Sequence, residues 1–257
     1  MSDPPNTENH WIEVLSSPKW VRVLFSGKVI ADSRRVLLLR EKGAMPVYYF
    51  PKEDVIMDAL LPSDSTVVSY KGKAHLWSVS VGDKLAEHAV WSYQDPLPDA
   101  SSLKEYIAFE WDRMDAWFEE GEEVYVHPRD PYKRIDVIHS SRHVRVVVAG
   151  ETVAETQRPV LLFETALPTR YYIPKVDVRM DLLVPSDTQT RCPYKGLAGY
   201  YSVAVGDDLA TDIAWHYDFT TPETAKIAGL ICFFNERVNA LYADGQLLPK
   251  PVTKWSR

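Results

Sequence analysis

The stretch Tyr48–Asp64 reads YYFPKEDVIMDALLPSD, and Tyr171–Asp187 reads YYIPKVDVRMDLLVPSD; at a fixed offset the two agree at 12 of 17 positions. A block this long and this rich in Tyr, Asp, Met and Pro does not recur by chance, so the chain is a tandem duplication. The correspondence extends outward in both directions. Arg22, Gly27 and Glu41 are answered by Arg145, Gly150 and Glu164. After one extra residue beyond Asp187, Lys71-Gly72, Gly82-Asp83, Trp91, Tyr93, Phe109, Arg113 and Gly121 are answered by Lys195-Gly196, Gly206-Asp207, Trp215, Tyr217, Phe233, Arg237 and Gly245.

The pattern inside each copy is that of short strands. Val21, Val23 and Phe25 alternate with Arg22, Leu24 and Ser26, and Gly27-Lys28 turns the chain into Val29-Ile30-Ala31, a hairpin signature. Ala74–Val81 and Leu85–Tyr93 meet at Gly82-Asp83, a second hairpin. Pro51 and Pro62 bracket Lys52–Leu61, which is expected to form one short helical piece. In such a piece Asp54 and Asp58, at i and i+4, share a face. The expected organisation is a tail over 1–19 with Trp11 and Ile12 docking on the body, a first β repeat over 20–126, and a linker over 127–142. A second β repeat over 143–247 and a tail over 248–257 complete it. Each repeat is the size of a small mostly-β domain with one or two short helices.

Composition bounds the function. With 257 residues the chain can bury two cores, and its 46% hydrophobic and 25% charged residues are ordinary for a globular protein. A net charge of −7 argues against non-specific binding to nucleic acid or to an anionic membrane. No apolar run is long enough to span a bilayer, and no basic head precedes an apolar run as in a secretory leader. Two cysteines, Cys192 and Cys232, cannot build a disulfide framework and suit a reducing cytosol. A cytoplasmic location is therefore expected. The seven histidines show no metal-ligand spacing, so neither metal nor cofactor is expected.

The paired Tyr before Pro-Lys, the Asp-Val-x-Met-Asp and Pro-Ser-Asp runs, Cys192-Pro193-Tyr194-Lys195-Gly196, the later Trp-x-Tyr and the aromatic followed by Arg resemble the family known as domain of unknown function 427. The resemblance covers nearly the whole chain, twice. It implies a compact β-tent fold similar to that of Mss4 and methionine sulfoxide reductase B. Those relatives hold zinc through two Cys-x-x-Cys pairs; this sequence has none, so zinc is not expected. The nucleotidyltransferase-like label that the family has carried finds no Gly-rich phosphate loop here. The second copy carries the full motifs, whereas in the first Ser69 stands where Cys-Pro is expected and Ile56 replaces Arg179.

Three kinds of side chain are candidates for a site. Cys192 is a candidate nucleophile: Lys195, three residues on, with Arg179 or Arg237 brought near by the fold, would favour its thiolate. The alternative is a small buried residue at a strand end. Asp177, Asp181 and Asp187, with Asp54, Asp58 and Asp64 in the first copy, invite a general acid–base role, and Asp177 joins Cys192 and Lys195 as the catalytic candidates. Equally, Pro185-Ser186-Asp187 is a turn cap, and Asp177 and Arg179 would pair with Arg237 and Glu164 in an ion network that ties strands together. Trp215 and Tyr217 flank His216 and so share one side of a strand. With Tyr172, Tyr194 and Tyr201 they would line an aromatic pocket, with Arg179 and Arg237 holding an anionic group. The matching set in the first copy is Tyr49, Trp77, Trp91, Tyr93 and Arg113. The alternative is that these rings fill a β core. The expected function is binding, with or without transformation, of a small organic molecule; the rival is a non-enzymatic module that presents a groove to a peptide or protein.

Overall fold

The computed structural model describes residues 10–256. The chain forms two compact units, residues 1–130 and 131–257. The first unit contains β1 (Ile12–Ser16), β2 (Val21–Phe25), β3 (Lys28–Ser33), β4 (Leu37–Glu41), β5 (Val47–Pro51), β6 (Leu60–Ser69), β7 (Gly72–Val81), β8 (Lys84–Pro96), β9 (Tyr106–Phe109), β10 (Ala116–Glu119) and β11 (Glu122–Val124). The second repeats the series: β12 (Ile135–His139), β13 (Val144–Val148), β14 (Glu151–Thr156), β15 (Val160–Glu164), β16 (Arg170–Ile173), β17 (Leu183–Cys192), β18 (Gly196–Val205), β19 (Asp208–Thr220), β20 (Ile231–Phe233), β21 (Ala240–Ala243) and β22 (Gln246–Leu247).

Each unit is a pair of antiparallel sheets. In the first, a seven-stranded sheet in the order β1-β4-β5-β9-β8-β7-β6 accompanies a four-stranded sheet, β11-β10-β2-β3. In the second the orders are β12-β15-β16-β20-β19-β18-β17 and β14-β13-β21-β22, strand for strand the same. The β2–β3 hairpin turns through Ser26 and Gly27 at φ 51° and 71°, and β13–β14 through Ala149 and Gly150 at 49° and 83°. Two successive positive φ values match the right-handed twist of the strands they join.

Because side chains alternate across a strand, each large sheet has two faces with different contents. One face meets the small sheet: Val21, Val23 and Phe25 pack with Tyr48, Phe50, Val79, Val90, Phe109 and Trp117 in the first unit. Val144, Val146 and Val148 pack with Ile173, Val203, Ile213, Phe233 and Leu241 in the second. Each such side chain taken from water contributes about 1.5–3 kcal/mol. The other face carries a smaller cluster in each unit: Leu39, Tyr49, Ala74, Tyr93, Ala100, Leu103 and Ala108 in one, and Leu162, Tyr172, Ala198, Trp215, Tyr217, Ile227, Cys232 and Phe234 in the other.

Three sequence expectations change. Strand β1 lies inside the stretch expected as a tail, pairing with β4 from Ile12↔Glu41 to Ser16↔Leu37; residues 1–9 lie outside the described residues. Strand β12 likewise lies inside the expected linker, pairing with β15. Both follow from the exposed edge each large sheet would otherwise present on that side. Lys52–Leu61 is not one helical piece but two single 3-10 turns, Lys52–Asp54 and Met57–Ala59. Between them the β-branched Val55 is extended and bridges Ala31, and the Ile56 N–H donates to the Ile30 carbonyl at 2.8 Å. Packing on β3 overrides the local helical preference, so Asp54 and Asp58 do not share a helical face. The second copy divides in the same way, at Lys175–Asp177 and Met180–Leu182.

Candidate functional site

On the second unit's smaller-cluster face, β15, β16, β18, β19 and β20 bring polar and aromatic side chains together because each sits at an inward register position. The Trp215 indole N–H donates to the Tyr172 hydroxyl at 3.2 Å, and the rings meet edge to face at 6.3 Å and 87°. In the first unit Trp91 donates to Tyr49 at 2.9 Å, with the rings at 6.2 Å and 89°. Burial pushes the phenols of Tyr49, Tyr172 and Tyr217 well above the ordinary tyrosine range, so they stay neutral donors and acceptors. For Tyr217 the Cys192 sulfur beside it adds to that shift. In the first unit Ser69 occupies that place, with its hydroxyl 3.2 Å from the Tyr93 hydroxyl.

A charged group closes the end of each cluster. The Lys195 ammonium donates to Glu164 at 2.5 Å, and Lys133 approaches the other carboxylate oxygen at 3.1 Å. The Glu164 side chain is only 7% exposed, against 12% for Lys195 and 24% for Lys133. In the first unit Lys71 pairs with Glu41. There His10, 3.1 Å from Glu41, takes the place of Lys133 and stacks on Tyr70 with ring centroids 3.7 Å apart. The turn after β17 explains the placement: the Lys195 N–H donates to the Cys192 carbonyl at 3.2 Å, which folds the lysine back toward β15. Tyr194 lies in that turn, half-buried, its carbonyl accepting from the Thr221 hydroxyl at 2.7 Å.

The remaining candidates lie elsewhere. Tyr201 and Trp77 are on the opposite sheet face, packed against the two larger cores. The Trp77 indole donates to Ser92 at 3.1 Å, and the Tyr201 ring lies 5.1 Å from His216. Arg179 is exposed and forks onto Asp181. Arg237 donates to the backbone carbonyls of Thr211 and Asp212 and lies 5.2 Å from the Phe234 ring centre. Arg113 is exposed in the turn Trp111–Arg113. Asp177 accepts from the buried Thr156 hydroxyl at 2.7 Å and from Arg158 at 3.0 and 3.1 Å. That guanidinium, with the hydroxyl, holds its carboxyl below the usual aspartate range. Asp54 makes the same strap with Ser33 and Arg35. The ion network expected among Asp177, Arg179, Arg237 and Glu164 is therefore replaced by four separate arrangements, because each charged group finds a partner in its own neighbourhood. Cys232 is fully buried, and burial pushes its thiol up to about 12; Cys192 is half-buried.

Sequence reasoning missed a buried ion pair. Arg170 forks onto Glu236 through two bonds of 2.7 Å, with 8% and 0% of the side chains exposed. Thr253 also donates to Glu236, at 2.7 Å, and Arg170 lies over the rings of Trp215, Phe234 and Trp255. Burial alone would raise the Glu236 carboxyl, but the guanidinium and hydroxyl outweigh it and hold it below the usual range. The one available signal was that Arg170 stands in an inward-facing strand position where the first copy has Val47.

Among the described residues, no group of three or more His, Cys, Asp or Glu could hold a metal ion, and no helix is long and apolar enough to cross a membrane. No curated protein matches the chain. The family described as domain of unknown function (DUF427) matches it twice, over residues 13–120 and 136–244. Each match takes in the seven-stranded sheet of one unit, including its edge strand β1 or β12, and the four-stranded sheet up to but not including its last strand, β11 or β22. The chain belongs to that family, as two tandem copies of its domain.

Proposed function

We propose that the protein binds a small organic anion at the second repeat, at the end of the aromatic cluster where Lys133 and Lys195 share the Glu164 carboxylate. The observation that carries this reading is that sharing: two ammonium groups against one carboxylate leave a net positive charge in a partly desolvated place. There a ligand carboxylate or phosphate gains more than at an open surface. Tyr194, half-buried in the turn beside it, supplies flat contact area, which suits an aromatic acid. Arg179 and Arg237, the groups first expected to hold the anion, are committed to Asp181 and to backbone carbonyls.

Binding, rather than turnover, is the better-supported reading. Lys195 directs its ammonium at Glu164, not at the neighbouring thiol, and Asp177 is held by Thr156 and Arg158. The catalytic trio of Cys192, Asp177 and Lys195 thus has its acid–base members engaged elsewhere. Calorimetric titration with phenyl phosphate and benzoate, against neutral benzyl alcohol, tests the proposal. The anions should bind one per chain, and Lys133→Met, which leaves Glu164 paired with Lys195, should weaken them at least tenfold. Equal binding of benzyl alcohol, or anion binding unchanged in Lys133→Met, would overturn it.

A further inference from the structure

The two copies differ at one corner of the core. In the first unit the turn after β9 places Trp111 flat against Trp117 of β10, with ring centroids 4.2 Å apart and 5° between planes. The Trp117 indole N–H donates to the Trp111 carbonyl at 3.2 Å. The second unit has the same backbone here: Ala240 of β21 pairs with Val147 as Ala116 of β10 pairs with Leu24. Yet Asn235 replaces Trp111 and Leu241 replaces Trp117. Two indoles are gone, and neither replacement has their volume.

A cavity of about 200 Å³ lies at that corner, its walls including Asn235, Val238, Leu241, Leu248 and Pro249, with Lys250 also on it. Its lining is mostly apolar. Asn235 spends its amide N–H on the Thr169 carbonyl at 3.0 Å. Its Oδ1 is buried with no hydrogen-bond partner among the described residues. A buried acceptor left unmatched costs free energy that a donor brought by a ligand recovers. An apolar cavity of about 150 Å³ suffices to bind benzene, so this one has room for a second fused ring.

We infer that the cavity bounded by Asn235, Val238, Leu241 and Leu248 is a binding site for a planar bicyclic aromatic molecule bearing an N–H or O–H donor. The ring occupies the space that Trp111 fills in the first copy, and the donor bonds to Asn235 Oδ1. The site lies on the sheet face opposite the Lys133–Lys195 pair and takes a neutral ring, so it is independent of the anion reading.

Indole and 1-methylindole, in which a methyl replaces the donor hydrogen, are the probes, titrated calorimetrically into the full-length protein, and Asn235→Leu separates the lost bond from the added bulk. Indole should bind one per chain and at least tenfold more tightly than 1-methylindole. Asn235→Leu should abolish that preference, and Leu241→Trp, which refills the corner, should abolish binding of both. Absence of indole binding, or equal affinity for the two probes, overturns the inference without recourse to any variant. Indole binding that survives Leu241→Trp in a folded protein would place the ring elsewhere and overturn it too.

Discussion

Removing Glu236 should loosen the second unit more than any other single change to a charged residue. Glu236→Ala deletes both bonds to Arg170 and the one from Thr253. It leaves a guanidinium, 8% exposed, between rings with no counter-ion. Breaking a buried pair on one side costs about 3–5 kcal/mol, chiefly because the surviving charge stays desolvated. Cation–π contacts with Trp215, Phe234 and Trp255 at 5.5, 5.9 and 5.6 Å are made with or without the carboxylate, so they do not offset that cost. At 1.36 kcal/mol per decade, the opening equilibrium of β16, β19 and β20 should rise by roughly two to four orders of magnitude. Hydrogen exchange of peptides from those strands measures it directly. The double variant Arg170→Leu/Glu236→Leu removes both charges and should recover most of the loss, since an apolar replacement of a buried pair is often neutral. A loss below about 1 kcal/mol in Glu236→Ala, or a double variant no better than the single, would refute the reasoning.

Other outcomes follow from single contacts. Gly196 has φ +114° and an added Cβ would meet the Phe219 carbonyl at 2.7 Å, whereas at Gly72 the nearest atom is 3.2 Å away; Gly196→Ala should therefore cost about 1–3 kcal/mol by denaturant melt and exceed the cost of Gly72→Ala. Asp177→Ala leaves the buried Thr156 hydroxyl, which still accepts from the Arg158 backbone N–H, with no acceptor for its own proton and should cost about 1–3 kcal/mol, while Arg158→Ala, which removes only an exposed side-chain partner, should show a far smaller loss in the same melt. Asp54, Asp177, Asp212 and Glu236 all have carboxyls held below their ordinary values. Their contribution is present in full above the unfolded carboxylate range and is lost as the pH falls through the lowered folded values, so stability should drop on acidification below about pH 4 and stay flat across neutrality. Under native conditions a thiol reagent should label Cys192 and spare Cys232, whose burial holds its thiol up to about 12; labelling of both at equal rates would contradict the core assignment.

The duplication, the all-β class and most strands were legible because their signals are local: alternation in Val21–Phe25, positive-φ turns at Gly27 and Gly150, and a repeated motif of 17 residues. What was not legible depended on pairing at a distance. Strand β1 has the composition of a tail and becomes a strand only because β4 offers it an edge. Lys52–Leu61 has proline brackets suited to a helix, but Val55 is captured by Ala31 of β3. Trp215 and Tyr217 were correctly placed on one face by parity, and Tyr172 joined them. Tyr201, expected beside them, lies on the other face because Tyr200 is the residue opposite Trp215 across β18 and β19, a register that no pattern within either strand reveals. The approach of Lys133 to Glu164 was not legible, because Lys133 lies in a stretch that reads as linker.

The corner after β9 and β20 shows how a difference on one sheet face goes with a difference on the other. Four positions here differ between the copies: Val47 and Arg170, Trp111 and Asn235, Asp112 and Glu236, Trp117 and Leu241, first copy before second. Glu236 is one methylene longer than Asp112 and reaches Arg170 on the aromatic face, while its neighbour Asn235 lines the cavity on the other. A stack of two tryptophans is strong packing, and losing it opens space that a core does not tolerate without loss. The second copy gains in its place a fork of charge-assisted bonds, which holds the same turn from the opposite side of the sheet. The turn can then keep its backbone course while its inner surface stays hollow. If the hollow were mere decay, nothing would require the acceptor of Asn235 to be buried beside it; a leucine there would close the corner better. The stability of the ion pair and the emptiness of the corner are thus two sides of one exchange, and occupancy of the cavity is what distinguishes it from drift.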